Sequence, residues 1–288
     1  MASRPPPSPP PAETVAADVA RALAEDLGPG DATAELLPDR PAIAHVIARE
    51  PGVIAGRPWF DACFRSLDPG VEIHWRVDEG QAVGAGAVLV ELSGRARALV
   101  SAERPALNFL QTLSGTATAT ADCVARVAGS RTRILDTRKT LPGLRQAQKY
   151  AVRCGGGANH RMGLYDAVML KENHIHAAGS IAAAAAAARA RHPALPLIIE
   201  VETLDELDQA LATGCDRILV DEFSDRDLRE ALRRAAGRIP LEVSGGVTAE
   251  RLTALAAIGV DYVSIGALTK HVRALDLSLR FGPPPSDP

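Results

Sequence analysis

Lysine is scarce in this chain, and its few lysines are clustered. The 288 residues contain four lysines and 28 arginines. Three of the four, Lys139, Lys149 and Lys171, lie in one stretch. Where a sequence almost always uses arginine, a retained lysine favours a compact, rotatable charge over a planar fork. This stretch is therefore the first candidate for a functional site.

Paired cysteines are also lacking. Cys63, Cys123, Cys154 and Cys215 are far apart and form no C-x-x-C pair. We therefore expect neither a zinc site nor a disulfide framework. We expect reduced thiols in a cytoplasmic protein. Cys154 precedes a triple glycine, where we expect a small packed residue rather than a nucleophile.

Long apolar runs are absent as well. The run from Ile181 to Ala188 is too short to span a membrane and is followed by Arg189 and Arg191. The N-terminus lacks the charged-then-apolar pattern of a signal peptide. We expect a cytoplasmic protein with a disordered proline-rich tail at residues 1–13 and another such tail at its C-terminus.

Basic residues concentrate in one part of a slightly acidic chain. Between Arg131 and Tyr165 there are eight lysines or arginines and one acid, Asp136, whereas the formal net charge of the chain is −3. A solvated basic face is the usual explanation of such a run. Here the triple glycine 155–157, Asn159 and strand-like apolar segments interrupt the charges. This pattern favours a binding site for a small, multiply charged anion.

The hydrophobic pattern predicts a helix, a β-rich module and a second helix in the first part of the chain. Apolar residues recur at helical spacing from Thr14 to Leu27 and stop at a Gly-Pro-Gly sequence. Short strands with turn signals follow between Ala42 and Val100. Residues 101–128 then predict a long helix with Ser101 as its N-cap.

Strand-like and helical segments alternate in the rest of the chain. The strand-like runs end at Asp136, Leu170, Glu200, Asp221, Ser244 and Gly266. Such alternation predicts parallel strands with right-handed crossovers, in a closed barrel or an open doubly wound sheet. Both architectures bind ligands at the carboxyl ends of their strands. The residues at the run ends are therefore candidate site residues.

Two of these run ends predict a phosphate site. Ser244-Gly245-Gly246 and Gly266-Ala267 follow consecutive strand-like runs, and each precedes a helical segment. Backbone N–H groups and helix N-termini bind phosphate where side chains are missing. Simple turns are the alternative for either segment alone.

The remaining run ends carry charges of both signs. Glu200 and Asp221 either bind Mg²⁺ or ribose hydroxyls, or form salt bridges with Arg138, Lys139 or Lys171. A second anion suits a cluster of cations and one imidazole, because arginine binds planar carboxylates in bidentate fashion. That cluster comprises Arg138, His160, Arg161 and Lys171. Together these features indicate that a phosphosugar is joined to an acidic small molecule.

Four long motifs, in the same order along the chain, resemble the quinolinate phosphoribosyltransferase family. They are Glu25-Asp26-Leu27-Gly28-x-Gly30-Asp31-x-Thr33, Glu103-Arg104-x-Ala106-Leu107-Asn108-Phe109-Leu110-Gln111-x-Leu113-Ser114-Gly115, Asp136-Thr137-Arg138-Lys139-Thr140 and Cys154-Gly155-Gly156-Gly157-x-Asn159-His160-Arg161. The resemblance covers about Thr14 to Phe281. It implies a decarboxylating nicotinate-nucleotide pyrophosphorylase, a pentosyltransferase of de novo NAD synthesis.

The resemblance implies an α/β fold in two domains. An N-terminal α/β sandwich would span residues 14–107, with residues 274–282 packing back on it. An incomplete α/β barrel of fewer than eight strands would span residues 108–273. The protein would be a homodimer or a hexamer built as a trimer of dimers, and it would bind neither nucleic acid nor membrane.

The resemblance also implies residue roles. Arg104 would reach into the partner subunit's site, and Arg138, His160, Arg161 and Lys171 would bind the quinolinate carboxylates. Thr137 is a further substrate-binding candidate. Lys139, Glu200 and Asp221 would hold phosphoribosyl pyrophosphate with its Mg²⁺, and the catalytic set would be Lys139, Lys171, Glu200 and Asp221. The 5′-phosphate would lie on Ser244, Gly245, Gly246, Gly266 and Ala267.

Several positions differ from the family's usual pattern. Glu222 replaces a usual asparagine, and Val243 a usual alanine.

There are three rival functions. The first is a related phosphoribosyltransferase, either one that accepts nicotinate or the homologue associated with molybdate transport. A monocarboxylate acceptor would not need a pocket of four cations, so Arg104, Arg138, Arg161 and Lys171 favour a dicarboxylate. The hairpin at residues 77–89 resembles biotinyl carrier domains but lacks their lysine. RNA binding is disfavoured because Tyr150 is the one candidate stacking aromatic in the basic stretch.

Overall fold

The computed structural model describes residues 7–284, and the first six residues of the predicted N-terminal tail lie outside it. Residues 7–11 have neither helix nor strand, and the first helix begins at Ala12. Within residues 7–284, no helix is both long and apolar enough to cross a lipid bilayer.

Helices make up the larger part of the regular structure. They are α1 (Ala12–Leu27), α2 (Arg57–Leu67), α3 (Ala96–Arg126), α4 (Arg145–Cys154), α5 (Glu172–Ala178), α6 (Ile181–Arg191), α7 (Leu204–Ala212), α8 (Asp225–Ala235), α9 (Ala249–Ile258) and α10 (Ala267–Lys270). The predicted first helix is confirmed, and it ends at Leu27, directly before Gly28, as expected.

The strands form three sheets. They are β1 (Pro41–Ala48), β2 (Gly52–Val53), β3 (Glu72–Trp75), β4 (Ala82–Val83), β5 (Val88–Arg95), β6 (Arg133–Leu135), β7 (Val168–Leu170), β8 (Leu197–Val201), β9 (Arg217–Val220), β10 (Leu241–Val243), β11 (Tyr262–Ser264) and β12 (Leu277–Phe281). The sheets are β12-β1-β5-β3, β6-β11-β10-β9-β8-β7 and the small pair β2-β4.

The chain forms two compact units, each of which is discontinuous in sequence. Of the described residues, 7–121, 141–156 and 271–284 make up the first unit, and 122–140 and 157–270 make up the second. The sequence-based boundaries at 107/108 and 273/274 stay a prediction. These units divide elsewhere, because α3 runs without a break past residue 107.

The first unit packs helices on an antiparallel sheet. Its core combines one face of α1 with Trp59, Phe60 and Phe64 of α2 and with the apolar face of α3. The C-terminal strand β12 pairs antiparallel with β1, so that Val46 lies opposite Leu279. A strand from the end of the chain therefore completes a sheet that begins near residue 41.

The predicted N-cap of the long helix is wrong. The helix starts at Ala96, directly after β5, because Ala, Arg and Leu at positions 96–99 are strong helix formers. Ser101 therefore lies inside α3, and its hydroxyl donates a hydrogen bond of 2.8 Å to Asp31 Oδ2. Asp31 also accepts from the backbone N–H groups of Thr33 and Ala34. These bonds fix the turn that follows α1.

The second unit is an incomplete α/β barrel. Its six strands are parallel, and their order is the chain order with β6 placed beside β11. A doubly wound sheet would reverse its order at a switch point, whereas a barrel winds in one direction. Strands β6 and β7 are the two ends of this sheet, so the barrel is open between them. The expected α/β class with fewer than eight strands is confirmed.

Candidate active site

Most of the predicted site residues line one cavity at the carboxyl ends of the barrel strands. The cavity has a volume of about 420 Å³. Its lining comprises Thr137, Arg138, Lys139, His160, Arg161, Met169, Lys171, Glu200, Leu219, Asp221, Glu242, Ser244, Gly245 and Ser264. The edge at which parallel strands present their ligand-binding loops is therefore also where these charges meet.

The alternation of side chains along the strands explains this lining. Ile199, Val220 and Val243 face the main apolar core of the barrel unit. Their neighbours one position away point to the opposite face, because successive side chains alternate in a strand. In the register of the sheet, Glu200 lies beside Leu219, Leu219 beside Glu242, and Glu242 beside Tyr262. Glu200, Leu219 and Glu242 of this row thus form the floor of the cavity.

Lys171 and Glu200 form an ion pair at the ends of β7 and β8. The Lys171 ammonium contacts Glu200 Oε2, and the Glu200 side chain is largely buried. Lys171 is also the residue before α5, where its backbone N–H donates to His174 Nδ1 at 3.1 Å. This ion pair is among the salt bridges considered for Glu200 from the sequence. The pair sets a cation and an anion side by side at the cavity.

Two arginines, Arg138 and Arg161, also line the cavity. Burial, followed by repulsion from Arg138, lowers the pKa of Arg161. One Arg161 nitrogen donates to the carbonyl of Ala167 at 3.2 Å. Two guanidinium groups that repel each other gain from an anion placed between them. This pair can therefore bind a dicarboxylate.

The Ser244-Gly245 turn requires glycine. Gly245 has a φ of +94°, and a Cβ atom there would lie 3.4 Å from Asp221 Oδ1. The following helix α9 is capped by Thr248, whose hydroxyl accepts from the Arg251 N–H at 3.2 Å. A bare turn before a capped helix leaves backbone N–H groups accessible to an anion.

Gly266 gives space to Lys139. A Cβ atom at Gly266 would lie 2.8 Å from Lys139 Cδ, so any larger residue would displace that side chain. The Lys139 carbonyl accepts from the Thr269 hydroxyl at 2.8 Å, and the Lys139 N–H donates to Thr137 Oγ1 at 3.0 Å. The loop that carries Lys139 is therefore fixed at both backbone groups.

Acidic residues crowd the rim next to Glu200. Loss of hydration, then the neighbouring carboxylates Glu172, Glu206, Asp221 and Glu200, raise the pKa of Glu202. No cluster of three or more His, Cys, Asp or Glu residues that could hold a metal occurs between residues 7 and 284. Mg²⁺ commonly uses one or two carboxylates together with substrate phosphates. Glu200 and Asp221 fit that second kind of site and not a closed protein cage.

Four predicted residues do not line the cavity. Gly246, Gly266 and Ala267 lie in the turns just beyond its lining, and Ala267 is the first residue of α10. Arg104 lies on α3 in the first unit, with 57% of its side chain exposed. The ligand-binding roles of all the predicted residues stay predictions.

The sequence reasoning missed Met169, Leu219, Glu242 and Ser264. Each lies on a strand at a position that alternates with core residues. Glu242 carried a signal that could have been used. It is an acid between Leu241 and Val243, and a charged residue inside a buried strand needs a partner.

His160 is held on the floor by three partners. The backbone N–H of His160 donates to Asp136 Oδ1 at 2.9 Å. Asp136 also accepts from the side-chain amide of Asn159 at 2.5 Å. The His160 ring accepts the Arg161 N–H at Nδ1 and faces Glu242 with Nε2. Because Asp136 is fully buried, these bonds stabilise the 159–161 segment strongly.

Comparison with known proteins is unambiguous. Residues 31–114 and 116–280 match the models of the quinolinate phosphoribosyl transferase N-terminal and C-terminal domains. A nicotinate-nucleotide pyrophosphorylase of Mycobacterium leprae is 43% identical over 272 residues, which are 91% of this chain and 95% of that protein. A probable one from Bacillus subtilis is 41% identical over 257 residues, with 88% and 89% covered.

A solved structure agrees with these sequence relatives. The nicotinate-nucleotide pyrophosphorylase of Francisella tularensis superposes with a TM-score of 0.93 at 43% identity. The match covers 98% of this chain and 100% of that one.

Proposed function

We propose residue roles from the premise that this chain belongs to the quinolinate phosphoribosyltransferase family. The protein is an enzyme that transfers the phosphoribosyl group of phosphoribosyl pyrophosphate to quinolinate with decarboxylation. The products are nicotinate mononucleotide, pyrophosphate and CO₂, in de novo NAD synthesis. One observation carries the residue roles: four cations, three carboxylates and a Ser-Gly turn line a single cavity.

Binding of quinolinate falls to the basic side of the cavity. Arg138 and Arg161 bind its two carboxylates, and the relief of their mutual repulsion favours a dianion over the monoanion nicotinate. Lys171 adds a third charge, and we include Thr137 and His160 among the residues that surround this ligand. The same contacts hold the ring nitrogen in line with C1′ of the sugar.

The phosphoribosyl donor lies on the opposite side. The turns at Ser244-Gly245-Gly246 and Gly266-Ala267 hold the 5′-phosphate through backbone N–H groups. Glu200 and Asp221 bind the ribose hydroxyls and would hold Mg²⁺ jointly with the pyrophosphate. When bound, Mg²⁺ neutralises charge on the leaving pyrophosphate. Lys139 contacts the same leaving group, and its fixed backbone keeps the ammonium there.

The reaction then proceeds in two steps. Pyrophosphate leaves C1′ as the quinolinate nitrogen attacks, and Lys139 stabilises the charge that develops on the leaving oxygens. The ring nitrogen becomes cationic and accepts the electron pair released when the neighbouring carboxylate leaves as CO₂. A proton from solvent water then bonds to C2, where the carboxylate was. Lys171 neutralises the departing group's charge until the C–C bond breaks.

The assembled enzyme has further proposed features. We propose a homodimer or a trimer of dimers in which Arg104 completes a neighbouring site, and the exposure of that side chain supports this role. A cytoplasmic location is also proposed, and the four free cysteines support it because thiols persist in reducing compartments.

The first experiment supplies both acceptors in parallel. The purified protein is incubated with phosphoribosyl pyrophosphate, Mg²⁺ and either quinolinate or nicotinate, while CO₂ and mononucleotide are measured. Equal amounts of CO₂ and nicotinate mononucleotide from quinolinate alone are expected. Product from nicotinate but not from quinolinate would contradict the dicarboxylate pocket.

The role of Lys139 has its own test. Lys139→Ala is expected to lower kcat by about 10²–10³-fold, since a charge that acts on the transition state is lost. Lys270→Ala, an exposed lysine on α10, is the matched control for loss of an ammonium group. An unchanged kcat in Lys139→Ala, with tight donor binding, would contradict this role.

A further inference from the structure

Glu242 is a fully buried carboxylate on the cavity floor that the proposed reaction does not use. It lies in the middle of β10, and its side chain is 0% exposed. Its Oε2 accepts from Arg217 Nη1 at 2.9 Å. The guanidinium of Arg217 in turn stacks on the ring of Tyr262 at 4.3 Å from the ring centre. The other oxygen, Oε1, lies 3.3 Å from His160 Nε2.

The hydrogen bonds of His160 define its tautomer. The Arg161 N–H donates to His160 Nδ1 at 2.7 Å, so Nδ1 presents a lone pair. The proton of the neutral ring is therefore on Nε2, the nitrogen that faces Glu242. Nδ1 is bonded to the Arg161 N–H, Nε2 faces Glu242, and 8% of the side chain is exposed, so the ring is held by protein contacts at the cavity.

Oε1 of Glu242 is poorly satisfied where it lies. It is buried and, within residues 7–284, makes no well-formed hydrogen bond. A buried carboxylate oxygen in that state costs free energy, and a contact of 3.3 Å is long for a hydrogen bond. Hydrogen bonds at active sites are commonly long without ligand and tighten when ligand binds. A small rotation of the His160 ring would form the bond.

Glu242 does not act on the ligand by its charge. A lone carboxylate under a site for a dianion would weaken binding by repulsion. Here Arg217 neutralises it through a direct bond, with Tyr262 behind the guanidinium. Glu242 still contributes an acceptor oxygen, Oε1, in a fixed position that faces His160 Nε2.

We propose that Glu242 is a positioning residue for quinolinate: it fixes His160 as the Nε2–H tautomer, and His160 Nδ1 in turn fixes the backbone of Arg161. This inference rests on the proposed function, in which Arg161 binds a quinolinate carboxylate. Glu242 on β10 faces the His160 imidazole, and this imidazole accepts the backbone N–H of Arg161, whose side chain lines the cavity.

The central variant is Glu242→Gln. A glutamine has one acceptor oxygen, so it serves Arg217 or His160 but not both. We expect the KM for quinolinate to rise about tenfold, as is typical when an outer partner of a binding residue is lost. The kcat and the KM for phosphoribosyl pyrophosphate are expected to stay within about twofold, because Glu242 acts before the chemical step.

The matched control is Asp61→Asn in the first unit. Asp61 is a largely buried carboxylate that accepts from Trp75 Nε1 at 2.8 Å. It lies outside the barrel unit, and its amide keeps the acceptor oxygen. The same chemical change there is expected to leave all three kinetic constants unaltered.

Two further measurements separate positioning from loss of stability. The ¹³C and ¹⁵N shifts of the His160 ring, assigned by subtraction of the His160→Gln spectrum, report the tautomer directly. Wild type is expected to show Nε2–H, and Glu242→Gln a mixture of tautomers. In a His160→Gln background, Glu242→Gln should have no further effect on the quinolinate KM, since the path is already broken.

The outcomes distinguish this inference from the proposed function. If the wild-type enzyme consumes no quinolinate, the proposed function fails. If wild type is active but Glu242→Gln keeps both its quinolinate KM and the Nε2–H tautomer, the inference about Glu242 alone is overturned. Full additivity of the two substitutions would overturn it as well.

Discussion

Each compact unit contains a glutamate that is largely buried. The pKa values of these two glutamates are shifted in opposite directions. In the first unit, burial raises the pKa of Glu79 despite bonds from the N–H groups of Gly56 and Arg57. In the second unit, Glu242 is more deeply buried, which alone would raise its pKa. Its contacts with His160, Arg217 and Ser264 nevertheless lower it.

The difference between these glutamates lies in their donors. Glu79 caps the start of α2 and receives backbone N–H groups and the thiol of Cys154, all of which are neutral. The Arg57 guanidinium bonds instead to the Val77 carbonyl and to Asp78. Glu242 instead faces the His160 ring and receives the Arg217 guanidinium directly. Neutral donors fix a carboxylate in place, whereas a cation also keeps it ionised.

The largest expected effect comes from removing Glu242 altogether. Glu242→Leu is expected to lower the free energy of unfolding by about 3 kcal/mol, because the charge of Arg217 loses its partner. The double variant Glu242→Leu with Arg217→Leu should recover much of that loss, since neither charge remains. Urea denaturation followed by circular dichroism measures both. Equal instability of single and double variants would mean that packing, not charge, dominates.

A smaller effect is the pH dependence of the two amide variants. Glu242 has a lowered pKa, so its contribution to stability is present above the unfolded value of about 4.3 and is lost as pH falls. Glu79 has a raised pKa, so its contribution is present below about 4.3 and is lost as pH rises through the folded value. On acidification, the stability difference between wild type and Glu242→Gln should therefore shrink, and that between wild type and Glu79→Gln should grow.

This pair of slopes is checked by urea midpoints measured between about pH 3 and pH 7, a range that extends below and above the unfolded value of about 4.3. Slopes of the same sign would show that the donors do not control the two carboxylates differently.

The smallest expected effect concerns Glu222, an acidic residue whose backbone conformation costs free energy. Glu222 follows Asp221 and has a φ of +55°, a left-handed conformation that asparagine tolerates better than glutamate. Glu222→Asn is expected to stabilise the protein by about 0.5–1 kcal/mol, or roughly 1–2 °C in Tm. Glu202→Gln, an exposed neighbour on the same rim, is the control for loss of charge. If that control matches the gain, charge rather than conformation is responsible.

Much of the site could be predicted because it follows from chain order. The apolar runs predict strand ends at Leu170, Glu200 and Asp221. Parallel strands bring their carboxyl ends together whatever the details of packing. The Ser244-Gly245 turn was predicted from glycine before a helix, and Gly245 does have a positive φ. Local patterns sufficed for both.

The rest depends on contacts between distant residues. Ser101 was predicted as an N-cap because nothing in its neighbourhood shows that its hydroxyl bonds to Asp31. Glu242 was missed because its partners Arg217 and His160 are far away in sequence. A side chain's role there is set by register and burial, which a single sequence does not display.

The pairing of β12 with β1 also bears on how the chain folds as it is synthesised. The first unit needs Leu277–Phe281 to cover the edge of β1, yet β1 leaves the ribosome early. At typical rates of translation the gap lasts on the order of tens of seconds. During that time β1 presents an open edge, which can pair with other nascent chains. A chaperone that shields this edge would therefore raise the yield of native protein without touching the catalytic unit.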